Sequence, residues 1–426
     1  MGNKFYRIER VVAKFLTRFP LIKSRFKNIY SRINFLFFRK KESYYSIYEI
    51  VKINSSDRES FFGYYDKSPL NSSGNLLLYH EANIATNKLP STSIPIRIIL
   101  KNLQNGKEDI FNSYTYNWQQ GSRLQWIDDE RFIYNDYDSE KNDFCSIIVN
   151  ANEISTKKKF SFPIYDVHGD YALSLNFSRL AILRPDYGYT NRIKNGSVID
   201  IYDLLNDGVF FCDLVQNKKE LIISLDTLRQ FGFSNPPKNA VHKVNHIMIS
   251  PDGESFVFLH RFFINCQKYD RLFKSDKSGK NLKLLANTGM ISHYSWYDNK
   301  NLIVYMRSQS GKDNYHIINT ESLNITQLGT GILDGFGDGH PSVRGDKVLF
   351  DTYPNRSRMK ELYIYDLKSN VLEKIGEFLE PLKYSEQTRC DLHPKWSYCG
   401  NKIYIESTHT GKRLLYSIDL KHKISS

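Results

Sequence analysis

Four histidines stand in register in the second half of the chain: His246, His293, His340 and His393, spaced by 47, 47 and 53 residues. Each heads a short phrase that runs through a turn into an apolar strand: Asn245-His246 to Gly253, Ser292-His293 to Lys300, Gly339-His340 to Lys347 and Leu392-His393 to Gly400. Grouped imidazoles offer neutral nitrogen donors of the kind that hold a divalent transition metal such as Mn or Zn. One histidine in a turn is usually tied to backbone, but four in register point to metal binding or direct substrate chemistry. His80, His168 and His260 fall outside the register and read as ordinary. His409, in the run Ser407 to Arg413, is a candidate for lining the same mouth, together with Arg413.

A second constellation lies between Arg179 and Tyr189, where Arg179, Arg184, Tyr187 and Tyr189 surround a Pro-Asp-Tyr-Gly turn on what reads as a long loop. Arginine forks bind carboxylates bidentately, so an acidic ligand is a natural partner. A salt-bridged structural loop is the alternative. Arg356, in Asp351-Thr-Tyr353-Pro-Asn-Arg356, and Gln387 and Arg389, in Glu386 to Asp391, add polar groups expected at the same face. There is no Gly-rich phosphate loop, no G-x-S-x-G elbow and no H-E-x-x-H helix.

These residues need a scaffold that repeats. The histidine phrases lead into Phe256–Leu259, Leu302–Tyr305, Val348–Phe350 and Ile403–Ile405, and further strands follow at 362–366 and 415–419. Weaker copies precede them: Tyr64 to Tyr79, Gln125 to Tyr134 and His168 to Ser174. A period of 40 to 50 residues with several short strands per unit is the signature of propeller blades. Three units plus four predict an all-β, seven-bladed β-propeller over residues 44–426, with Tyr44 to Ile53 as one more strand that completes the last blade. In such a ring the blade-head histidines converge near one mouth of the central channel. A β-sandwich would not explain the constant period. The 29 Tyr and 27 Phe suit a β-rich body with a sizeable core.

The net charge of +13 is concentrated at one end: residues 1–41 hold twelve Lys and Arg against the single acid Glu9, which leaves the body near neutrality. Ile8, Val11, Val12, Phe15, Phe19, Ile22, Phe26, Ile29 and Ile33 follow helical spacing, with Pro20 expected to divide the pattern into two helices. Residues 1–43 therefore read as a basic amphipathic arm suited to an anionic membrane surface, with packing on the body or disorder as alternatives. Nucleic acid is not expected, since the body carries no reading motif or aromatic platform. The five scattered cysteines form no C-x-x-C pair, and the N-terminus has no clean apolar h-region, so a cytoplasmic protein peripheral to the inner membrane is expected.

The sequence resembles the oligogalacturonate lyase-like seven-bladed propellers, a branch of the TolB/WD40-like group. The likeness covers roughly residues 57 to 420 and is carried by Phe62 to Pro69, Gln119 to Ser122 with Leu124 to Trp126, Arg179-Leu180 with Arg184 to Tyr189, Asp338 to Pro341, Asp351 to Pro354 and Arg389 to Trp396. The resemblance implies a β-eliminating lyase of uronate-containing polysaccharide, with a divalent metal held by three histidines and a glutamine. Carried over by motif, His293 and His393 are two ligands, and His340 and Gln387 the third and fourth, with His246 added from the register. Arg184 or Arg179 is the implied base, with Tyr189 beside them, and Tyr187, Arg356, Arg389, His409 and Arg413 contact the substrate. Where the lyase pattern places further histidines, this chain has Arg389-Cys390-Asp391. Relatives with that variant resemble products of bacterial surface-polysaccharide clusters. Two functions follow: a metal-dependent lyase acting on an acidic glycan, or a non-catalytic or glycosyltransferase-associated component of capsule or O-antigen synthesis held at the membrane by its arm.

Overall fold

The computed structural model describes residues 20–424 apart from 235, 237, 238 and 266, with side chains described from Ile29 onward. Its β-structure falls into seven antiparallel sheets. The first three are Ser60–Phe61, Leu76–Glu81, Ile96–Asn102 and Glu108–Ser113; then Gln125–Trp126, Arg131–Asp138, Asp143–Asn150 and Lys157–Phe160; then Asp166–His168, Tyr171–Ser174, Gly208–Asp213 and Lys218–Ser224. The fourth and fifth are Val241–Ile249, Ser255–Ile264, Gln267–Asp276 and Lys283–Gly289, followed by Ile291–Trp296, Asn301–Arg307, Asp313–Asn319 and Ile325–Gln327. The sixth is built on Ser342–Arg344, Lys347–Asp351, Met359–Asp366 and Val371–Leu379, the seventh on Lys395–Trp396, Lys402–Ser407 and Leu414–Lys423. The chain is thus the seven-bladed propeller that the repeat predicts.

The core follows from this stacking. Blades have two apolar faces, so buried side chains collect between neighbours rather than at one centre. Met248, Val257 and Leu259 of the fourth blade meet Tyr294, Leu302 and Val304 of the fifth. Leu349, Leu362 and Ile375 of the sixth meet Trp396, Ile403 and Ile418 of the seventh.

Closure differs from the expected single strand. Tyr44–Ser46 pairs with Val371–Leu379 on the outer edge of the sixth blade, and only Tyr48–Lys52 pairs with Leu414–Lys423 in the seventh. The Ser46 hydroxyl bonds the carbonyl and amide of Tyr48 at 2.8 and 3.1 Å, which turns the chain between them. One short segment therefore covers two sheet edges that would otherwise stand unpaired.

The described part of the arm is one helix, α1 (Pro20–Phe38), with Pro20 at its start, where proline is well tolerated; the portion before Pro20 lies outside the described residues. Ile29, Ile33, Leu36, Phe37 and Phe38 are exposed on it. Among the described residues no helix is long and apolar enough to cross a membrane. Cys145, Cys212, Cys390 and Cys399 are free thiols.

Candidate functional site

The inner strands, and for His340 and His393 the segments leading into them, bring the four blade-head histidines side by side. Ring centroids lie 5.5 Å apart for His246 and His293, 4.2 Å for His293 and His340, and 4.6 Å for His340 and His393. Tyr64, entering from the first blade, closes the arc, its ring 5.2 Å from both His246 and His393. Its hydroxyl is 2.8 Å from Nδ1 of His246. None of the four histidines is more than 4% exposed.

The backbone is bent to achieve this. His246 and His393 have φ of +52° and +43°, a left-handed conformation that is rare for residues with a Cβ and is characteristic of functional sites. The pairing of the fourth blade also slips between Asn245 and Met248, so His246 sits in an irregularity that re-aims its side chain. Gly339 lets the chain before His340 approach the sixth blade: a Cβ there would lie 1.9 Å from the carbonyl oxygen of Asp351.

Carboxylates orient the rings. Nδ1 of His293 is 3.0 Å from Asp338, and Nδ1 of His340 is 2.9 and 3.1 Å from the two oxygens of Asp351. A carboxylate can only accept, so Nδ1 carries the proton and Nε2 keeps its lone pair when the ring is neutral. Nε2 of His340 and Nε2 of His393 are buried with no hydrogen-bond partner, while Nδ1 of His393 stands 3.8 Å from Glu406. His340, His393 and Asp391 each offer an atom within 4.8 Å of the others. Such orphaned donors, with a carboxylate behind one imidazole, fit a divalent cation.

Electrostatics separates these rings. Burial pushes His393 down to about 4 despite Glu406 nearby, and burial together with His293 holds His246 well below the usual histidine range. For His340 burial acts the same way, but Asp351 overcomes it and raises the ring above its ordinary value. Burial would raise Asp391, yet Arg389 and Lys360 hold it far below the usual carboxylate range.

Beside the cluster runs a chain of alternating charge. Arg184 Nε is 2.8 Å from Asp186, Asp186 is 2.6 Å from Arg389, and Arg389 Nε is 2.7 Å from Asp391. The arginines are 35% and 18% exposed against 9% and 2% for the two acids, so the cations face outward and the anions inward. Tyr187 joins this chain, its hydroxyl 3.4 Å from Arg389 and its ring edge-on to Tyr64 and His246.

Other sequence candidates sit elsewhere. Arg179 lies in the helix Phe177–Leu183 (α2), pairs with Asp207 at 2.5 Å and donates to the carbonyls of Asp200, Ile201, Asp203 and His242. With its donors spent on the loop it is a structural clamp, not a base. Arg184 is tied to Asp186, with its guanidinium over the ring of Tyr187; burial would lower it, but Tyr187 and Asp186 outweigh this. Tyr189 is buried against Phe177 at 4.4 Å, its hydroxyl taken by Asn135 and Gly121. Arg413 is fully buried and donates to the carbonyls of Trp118, Thr388 and Arg389, so it props the Arg389 turn rather than meeting a ligand.

His409 is wedged among Tyr44, Phe378 and Tyr416, behind the N-terminal strap formed by Tyr44–Ser46 and Tyr48–Lys52. Arg356 lies over the ring of Phe38, 5.6 Å away, and so meets α1 instead. Gln387 stands half-buried on the turn Glu386–Thr388, and the acid that converges with His340 and His393 is Asp391. The sequence motifs contain Tyr64 and Asp338 without assigning them a role, and they place Asp351 and Asp391 only among the polar groups expected at the same face.

The fold and this cluster define a seven-bladed β-propeller with a buried histidine-carboxylate centre. No protein-family model and no curated protein matches the chain. Among solved structures it is similar to oligogalacturonate lyase in complex with manganese, with 13% identity, a TM-score of 0.60 and coverage of 90% of this chain and 95% of that one. Oligogalacturonate lyase from Vibrio parahaemolyticus gives 12%, 0.58, 88% and 96%. The β-propeller domain of the Trilobed protease from Pyrococcus furiosus gives 10%, 0.50, 87% and 100%. At these identities the likeness is one of fold.

Proposed function

We propose that the chain is a carbohydrate-active propeller that takes a uronate-containing polysaccharide at the histidine mouth, with His340, His393 and Asp391 holding a divalent cation such as Mn or Zn and His293 adjacent. The observation that carries this reading is the set of buried, unpartnered nitrogens on His340 and His393 beside Asp391. A bound cation supplies Lewis acidity, neutralising a uronate carboxylate and acidifying the neighbouring C–H. Arg184 and Arg389 draw the acidic sugar inward, exchanging Asp186 and Asp391 for substrate carboxylates. His293, kept neutral by burial and with Nδ1–H directed at Asp338, presents Nε2 to accept the C5 proton of a β-elimination, in which the C4=C5 bond forms as the C4–O bond breaks and the departing oxygen takes a proton from water. The manganese-bound oligogalacturonate lyase among the structural neighbours supports the same substrate and metal class.

The test is metal content and unsaturated-uronate absorbance measured on the full chain with acidic oligosaccharides. Metal-dependent absorbance supports a lyase. Tight binding of the oligosaccharide without absorbance leaves a binding propeller, and neither binding nor absorbance removes the reading.

The N-terminal arm favours a second reading, in which the propeller works as a cytoplasmic, membrane-peripheral component of capsule or O-antigen synthesis. Tyr44 pairs with Phe378 near the end of the outer sixth-blade strand, Lys40 meets Glu377, and Phe38 meets Arg356, so α1 joins the body on the face whose loops carry the histidines and Arg389. An anionic membrane held by residues 1–41 would then face the mouth. Sedimentation with anionic vesicles, lost when residues 1–41 are deleted, is the expected result; unchanged sedimentation removes this reading.

A further inference from the structure

Five arginines are buried in the described structure: Arg123, Arg179, Arg261, Arg271 and Arg413. Four have a carboxylate within reach: Asp66 at 3.0 Å, Asp207 at 2.5 Å, Asp270 at 2.7 Å and Glu406 at 3.7 Å, respectively for Arg123, Arg179, Arg261 and Arg413. Arg271 has none among the described residues. It donates to the carbonyls of Leu228 and Phe231 at 2.9 and 2.6 Å, and its guanidinium lies 5.0 and 4.8 Å from the ring centres of Phe233 and Phe273. Asp270, the adjacent residue, is already committed to Arg261, to Lys268 at 3.0 Å and to the backbone amide of Ile291. Asp226 is taken by Arg229 and Gln230. Burial alone pulls Arg271 down to about 10, so it stays charged at neutral pH without a counter-ion.

Arg271 lines a cavity of about 370 Å³ in the outer part of the fourth blade, walled by Phe233, Phe262, Ile264, Tyr269 and Leu284. That volume is in the range that holds a small organic molecule. The charged groups of its lining are Arg271 and Asp270, and Asp270 is already paired with Arg261 and Lys268. A buried cation without a counter-ion costs stability that an apolar side chain of the same length would avoid. The combination of an uncompensated guanidinium and aromatic walls is that of a receptor for an amphipathic anion.

We propose that this cavity binds a carboxylate carried on an apolar body, with Arg271 as its charge partner and the aromatic walls enclosing the body. The site is separate from the histidine mouth and does not depend on the reading given to that mouth.

Calorimetric titration of the full chain with octanoate, octanol and octylammonium tests this. Octanoate is expected to saturate one site and raise the melting temperature, with octanol weaker by about tenfold to a hundredfold, the worth of one charge-assisted hydrogen bond, and octylammonium weaker still. Arg271→Met removes the preference for octanoate, and Leu284→Trp, which fills the cavity, removes binding of both octanoate and octanol. Asp391→Ala leaves octanoate binding unchanged. Absence of octanoate binding, equal affinity for octanol, or unchanged binding by Leu284→Trp overturns the proposal. If Arg271→Met fails to fold, the wild-type ligand series and Leu284→Trp still decide it.

Discussion

Asp351 grips His340 and His393 together. One carboxylate oxygen accepts from Nδ1 of His340 at 2.9 Å and from its backbone amide at 2.8 Å, while the other accepts from the amides of Leu392 and His393 at 3.1 and 3.3 Å. A single buried acid on the sixth blade thus fixes the ring of one proposed ligand and the backbone of the other.

Asp351→Asn puts an amide donor against groups that themselves donate. Breaking a buried charge pair costs roughly 3–5 kcal/mol, and losing an outer-sphere carboxylate behind a ligating imidazole costs about 10–100-fold in metal affinity. Denaturant titration and metal competition should both register the change. Stability and affinity equal to wild type would mean that Asp351 does not position the pair.

Arg389 competes with any cation for Asp391. Arg389→Leu should therefore tighten metal binding while weakening an acidic oligosaccharide by about tenfold or more, since a charge-assisted contact is lost. Affinities that fall together would show that Arg389 serves only to hold the turn.

The site was legible in the sequence where it repeats and obscure where it does not. The histidines share a blade register, so their spacing predicts their convergence. Asp351 reaches His340 from the neighbouring strand of the sixth blade, and Tyr64 comes from the first blade, so neither pairing leaves a local pattern. Arg179, Arg413 and His409 look in sequence like residues available to a ligand. What disqualifies them is burial against carbonyls or aromatic rings supplied by distant loops. The segment from Tyr44 to Ile53 reads as one strand because the Ser46 hydroxyl bonds that divide it leave no mark in composition.

Acid should destabilise the fold before most carboxylates titrate. Burial holds His80 and His393 down to about 4, so between pH 6.5 and 4 the unfolded chain takes up protons that the folded one refuses, and stability falls with pH. Each such histidine contributes roughly 3 kcal/mol across that window. His340 acts oppositely: its raised value gives stability present below about 6.5 and lost as pH rises through the folded value. Urea denaturation from pH 7.5 to 4.5 should show a net loss of several kcal/mol. His80→Gln should flatten the curve; a flat wild-type profile would contradict the burial of these rings as neutral groups.

The N-terminal strap should matter far more than the arm ahead of it. Removing residues 1–43 leaves both strap strands in place and should preserve cooperative unfolding. Extending the deletion to residue 53 exposes the outer edges of the sixth and seventh blades and should cost about 4 kcal/mol or more. Equal melting temperatures for the two truncations would show that the ring does not depend on this closure.

The most direct test of the histidine mouth is metal stoichiometry, measured by elemental analysis on the full chain after dialysis against Mn and Zn. The wild type should retain one divalent ion per chain, and His340→Ala, His393→Ala and Asp391→Ala should each lose it while remaining folded. A wild-type protein that retains no ion, or variants that retain it in full, would contradict the assignment of these three residues as a metal centre.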